Sequence, residues 1–120
     1  MATVQDIIDR AYRKIGVVAH DDAMTADQAA AGLNTFNDML HSWELVGIAL
    51  GHTDVGLSDA FPLADKFREG AIYLLASRLA PDWSVPVAFD ADVFLREIQA
   101  SYMVIDTVAL DPMLVRNSVI

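Results

Sequence analysis

Histidine and aspartate stand close together twice in this chain: His20, Asp21 and Asp22 are consecutive, and His52 is followed by Thr53 and Asp54. Imidazole and carboxylate are the donor types that hold zinc-like cations. Three adjacent residues rarely converge on one ion, because neighbouring side chains leave the backbone in different directions. The 20–22 group therefore reads as a solvated acidic loop. His52 and Asp54 would share a face if their segment were a strand, but the neighbouring sequence suggests no third ligand. His41 falls at the exposed edge of a helix. The His-Glu-x-x-His pattern of zinc proteases is absent.

Acid–base hydrolysis needs two carboxylates across a cleft, one of them held in its protonated form. Glu44, Glu69 and Glu97 each fall on the polar side of a helix, where solvation is the simpler reading. The six glycines form neither a Gly-x-Gly-x-x-Gly turn nor a phosphate loop, and none of the serines sits in a nucleophile elbow. With no cysteine in the chain, disulfides, thiolate chemistry and cysteine zinc sites are excluded. Trp43 lies on a core stripe, and Trp83 is placed to pin the turn after Pro81. No catalytic, cofactor-binding or metal-ligating set is expected, and hence no enzyme.

The elements that would position these residues are helical. Thr3 is a good N-cap for a helix over 4–15, with Asp6 three positions on and Gly16 as its stop. Ile7, Ile8, Ala11, Tyr12 and Ile15 make its apolar face. Thr25 to Gln28 has the capping-box pattern and opens a second helix over 26–46, with the stripe Ala29, Leu33, Phe36, Leu40 and Trp43. Gly47 ends it. A third helix is predicted over 64–79, with Phe67, Ala71, Leu74, Leu75 and Leu79 inward and Pro81 unable to continue it. A fourth starts near Pro86 or Asp90 and runs to about Leu110, with Val87, Ala91, Phe94, Ile98, Ile105 and Val108 as its stripe and Tyr102 beside it. Asp111-Pro112 closes it.

Two segments fall outside these helices. Residues 48–62 form a long irregular stretch, in which Ile48-Ala49-Leu50 can pair with Asp54-Val55 as a short β-hairpin. Loops of this length are commonly functional, so Ile48, Leu50, His52, Asp54, Val55 and Leu57 are candidates for contact with a partner protein or neighbouring copy. Residues 112–120 follow with Met113, Leu114, Val115, Val119 and Ile120 apolar and without a helix cap. With Pro112 and Arg116 they are expected to dock on a neighbour or partner, being loose until they do. The expected architecture is all-α: a small four-helix bundle (1–111) with one long loop and a C-terminal docking tail (112–120).

The 120 residues suit one domain. A hydrophobic fraction of 54% and a mean hydropathy of +0.33 are high for a chain this small, which points to apolar surface buried between subunits. The formal net charge is -9, which disfavours a groove gripping nucleic acid. The first residues lack the apolar run of a secretory signal, and no stretch approaches a membrane span.

Three blocks taken in order resemble the head-to-tail adaptor proteins of tailed double-stranded DNA phages, also called connectors or tail accessory factors. They are IDRAYRKIGV (8–17), AAGLNTFNDMLHSWELVG (30–47) and AIYLLASRLAPDW (71–83). With the fourth helix the resemblance covers nearly the whole chain. It implies a virion protein made in the host cytoplasm, assembled as a dodecameric ring under the portal at the head–tail interface. Such a ring extends the DNA channel and offers a platform to a tail or nozzle protein. Its partners would be the portal protein, neighbouring copies, the tail protein, and packaged DNA passing without specific binding, with no membrane. Some adaptors carry a long C-terminal extension to the portal, whereas this chain has 112–120. Two other classes compete. A helical regulatory or antitoxin-like module would carry a basic face, but Arg10, Arg13 and Lys14 are few. A virion-associated cell-wall hydrolase would require paired carboxylates.

Overall fold

A computed structural model describes residues 2–102. Among them are four α-helices and no strand: α1 (Val4–Lys14), α2 (Ala26–Ser42), α3 (Arg68–Leu79) and α4 (Asp92–Tyr102). The all-α, four-helix architecture is as expected. The end of the fourth helix, its stripe residues Ile105 and Val108, and the segment 112–120 lie outside the described residues.

Both predicted N-caps form reciprocal capping boxes. Thr3 Oγ1 accepts from the Asp6 N–H at 3.3 Å while the Asp6 carboxylate accepts from the Thr3 N–H at 3.0 Å. Thr25 and Gln28 repeat the pattern at 3.1 and 2.9 Å. A helix also leaves its first N–H groups without internal partners. At α1 these are met from a distance: Val4 and Gln5 donate to the carbonyls of Asp59 and Leu57, both at 2.9 Å. The end of the 48–62 stretch thus clamps the start of α1, joined there by a single antiparallel bridge between Thr3 and Ala60.

Helical stretches end three times in the same way. After α1, Gly16 (φ 76°) donates to Arg13 and Val17 to Tyr12. After a 3-10 turn, Trp43–Val46, Gly47 (φ 87°) donates to Glu44 and Ile48 to Trp43. After a second such turn, Ala80–Trp83, Ser84 donates to Pro81 and Val85 to Ala80. This is the Schellman pair of bonds, in which a left-handed residue lets the next apolar side chain fold back on the helix. Ile48 is buried, and Val17 and Val85 pack on the core. Ser84 takes the left-handed conformation at φ 56° without being glycine.

Four expectations are corrected. The second helix tightens into a 3-10 turn after Ser42 instead of staying α to 46. The third begins with a 3-10 turn, Asp65–Phe67, and its chain passes through Pro81 in 3-10 form before stopping at Ser84. Proline is tolerated there because the chain has left the α-helix at Leu79 and stops at Ser84, so the ring sits in the last turn of the run and not in a helix interior. The fourth helix begins at Asp92, so Val87 precedes it and is exposed rather than part of a stripe. The β-hairpin does not form: both backbone groups of Val55 are taken by the Asn37 side chain, which occupies the place a second strand would need.

The core gathers Ile7, Ile8 and Tyr12 of α1, Phe36, Met39 and Leu40 of α2, and Ile72, Leu75 and Leu79 of α3, with Ile98 of α4 beside them. Removing each such side chain from water stabilises by about 1.5–3 kcal/mol. α1 crosses α2 so closely at Gly32 that an added Cβ would run into Ile8. The blocks also meet through polar groups. Arg78 donates to the Ser42 hydroxyl at 2.9 Å, and Ser42 donates to the Met39 carbonyl at 2.7 Å.

Candidate functional site

The first His–Asp group is held by its backbone, through Arg13. In the last turn of α1, Arg13 pairs with Asp9 one turn earlier at 2.9 Å. It donates to the carbonyls of Ala19 (2.7 Å), His20 (2.9 Å) and Asp22 (2.6 Å). Asp9 holds the Arg13 guanidinium above its ordinary pKa range, so the charge that closes the loop is permanent. The side chains of His20, Asp21 and Asp22 remain exposed, as a solvated loop requires.

The second group is built differently. Asn37 is a polar residue buried on α2 at 9% exposure. Its Oδ1 accepts from the Val55 N–H at 3.0 Å, and its Nδ2 donates to the Val55 carbonyl at 3.1 Å. That pairing fixes which end of the amide is oxygen. His52 Nε2 lies 3.0 Å from the same Oδ1, so it must carry the proton and donate. The neutral ring then keeps its lone pair on Nδ1. Burial pushes the His52 pKa below its ordinary value, and the neighbouring His41 adds to this, against the opposing pull of Asp54 and Glu44.

His41, one helical turn beyond Asn37, reaches the same place. Its Nε2 lies 2.7 Å from Asp54 Oδ1, and its ring meets that of His52 edge-on with centroids 4.8 Å apart. The third partner that the sequence around His52 lacks is therefore supplied by α2. Its signal was the spacing: Asn37 and His41 are four apart and so share one helical face.

The other candidates sort by burial. Ile48 has no exposed surface, so as a contact residue it is corrected to a core residue. Leu50, Val55 and Leu57 are half-buried against the same core, leaving His52 and Asp54 as the polar part of the loop that faces outward. Trp43 is 2% exposed. Trp83 stands edge-on to Tyr12 at 5.8 Å, and so braces its turn while keeping an outer face. Glu44, Glu69 and Glu97 are all exposed. The contact candidates Pro112, Met113, Leu114, Val115, Arg116, Val119 and Ile120 lie outside the described residues.

One surface feature was missed. Leu45 is 88% exposed, with Val46 beside it at 40%. Both lie on the 3-10 turn that Trp43 anchors. They fall off the 29–33–36–40–43 stripe, which was the available signal. No helix among the described residues is long and apolar enough to cross a membrane. No protein-family model, curated protein or solved structure matches this chain.

Proposed function

We propose that this chain is a head-to-tail adaptor subunit of a tailed double-stranded DNA phage, working by assembly and without catalysis. The observation that carries the reading is Leu45, 88% exposed beside Val46 at the end of the second resemblance block. The subunit's core closes without these side chains. Covering a leucine recovers about 1.5–3 kcal/mol, and a ring repeats the contact at every neighbour. Trp83, Val87 and Val93 add further apolar area at the surface. Two basic residues of the blocks have internal work: Arg13 closes the first loop and Arg78 ties α3 to α2.

In this reading the subunits form a dodecameric ring beneath the portal, and the net charge of -9 lets packaged DNA pass without being gripped. The segment 112–120 docks on the portal or a neighbour, and the outward part of the 48–62 stretch faces the tail or nozzle protein. Native mass spectrometry and electron microscopy of the chain with and without portal protein test this. A ring is expected on the portal. Leu45→Asp should leave the circular dichroism and melting temperature unchanged while reducing ring occupancy, and a chain ending at residue 111 should fold and fail to join. No complex with portal, or peptidoglycan turnover abolished by substituting Glu44, Glu69 or Glu97, overturns the proposal.

A further inference from the structure

His41, His52 and Asp54 can each offer one ligand atom, and those atoms lie within 4.8 Å of one another. We propose that they form a binding site for a divalent cation of the zinc type, with two imidazoles and one carboxylate from the protein and solvent completing the coordination. The donor set is the one such ions select, nitrogen with one hard oxygen.

Two observations carry this. The first is convergence: a helix residue and two loop residues meet, with His41 Nε2 and Asp54 Oδ1 2.7 Å apart. Bonds of about 2.0–2.1 Å to a tetrahedral zinc place ligand atoms roughly 3.3 Å from each other. The required adjustments, about 0.6 Å outward for the 2.7 Å pair and up to about 1.5 Å inward for atoms 4.8 Å apart, fall on side chains with room to move, since those of His41 and Asp54 are 47% and 75% exposed.

The second is the support behind His52. Metal-bound histidines donate their other ring N–H to an oxygen that sets the tautomer and orientation. The Asn37 carbonyl oxygen already receives the His52 Nε2 proton, and Val55 holds that oxygen in place. Coordination through Nδ1 would keep this bond intact. A bound ion would pin the 48–62 stretch to α2. The site rests on these side chains alone, and its failure would leave the adaptor reading untouched.

The test uses the full chain without a polyhistidine tag, stripped with a chelator, then titrated with Zn2+ by calorimetry and with Co2+ by visible absorption. One equivalent is expected to bind, with Co2+ giving the absorption of a low-coordinate nitrogen–oxygen site. Binding should weaken as pH falls through the histidine range. His41→Gln and Asp54→Asn, both at exposed positions, should melt like the parent without metal. Each should weaken binding by more than the roughly 10–100-fold that losing a supporting partner costs. His20→Gln should bind like the parent. Absence of saturable binding, equal binding by His41→Gln and the parent, or loss of binding in His20→Gln overturns the proposal.

Discussion

The segments 20–22 and 52–54 both bring histidine and aspartate close together, yet the fold uses them in opposite ways. In the first, one arginine gathers three backbone carbonyls, and the side chains are left to solvent. In the second, a buried amide takes both backbone groups of one residue and one imidazole. The side chains are thereby drawn together over α2. The difference teaches that composition does not make a site. A charged donor reaching from outside organises a main chain, whereas a buried amide with a fixed orientation organises side chains. Buried amides of this kind must be fully satisfied, which is why the second arrangement is specific.

The largest test strikes the support beneath the second region. Ile48 hangs from the Trp43 carbonyl at 3.0 Å, and Trp43 is 2% exposed. Trp43→Ala is expected to cost about 3–5 kcal/mol, a large share of a typical stability of about 5–15 kcal/mol. Chemical denaturation would read it, and an unchanged midpoint would mean that the tryptophan does not support the core. Asn37→Ala comes next. It leaves the Val55 backbone groups without their partner, at about 1–3 kcal/mol. Its loss should release His52, seen as shifted ring resonances, while amide exchange at Asp22 stays as in the parent. Exchange that rises in both loops would show that the two regions are coupled.

Arg13→Ala is the reciprocal change. Proteolysis and amide exchange should rise across 19–22 with His52 undisturbed, and the melting temperature should move little because the pairing is at the surface. The smallest effect concerns pH. His52 is expected to titrate below its ordinary value of about 6.5. Between that value and the lower folded one, the unfolded chain holds a proton that the folded chain refuses. The contribution is therefore fully present above the ordinary value and is lost as pH falls through the window. A histidine-resolved NMR titration reads this directly, and a midpoint at or above the ordinary value would mean that Asp54 outweighs burial and His41.

Much of this molecule was legible in short stretches of residues. Thr3 with Asp6, and Thr25 with Gln28, announced two helix starts, and Gly16 and Gly47 two helix ends, because capping acts over three or four residues. The stripes over 7–15 and 67–79 marked core faces, because helical periodicity is a property of the segment itself. Ser84 was not legible as a helix end, since nothing in its type demands a positive φ. The 3-10 turn around Pro81 was hidden as well, because proline disfavours a helix interior but not the tightened last turn of a helical run.

The sequence by itself determined the helix count and class, the caps, the inward faces and the acidic balance, all of which follow from local geometry and composition. Only the tertiary structure decided where 48–62 goes. Its carbonyls at Leu57 and Asp59 satisfy the first N–H groups of α1, and its Val55 is held by Asn37, 18 residues away. Only the fold, too, brought His41 to His52 and Asp54. Those partners are joined by unmet hydrogen-bonding groups seeking complements across the molecule, and a donor exposed by one helix carries no mark in its own sequence of which distant carbonyl will meet it.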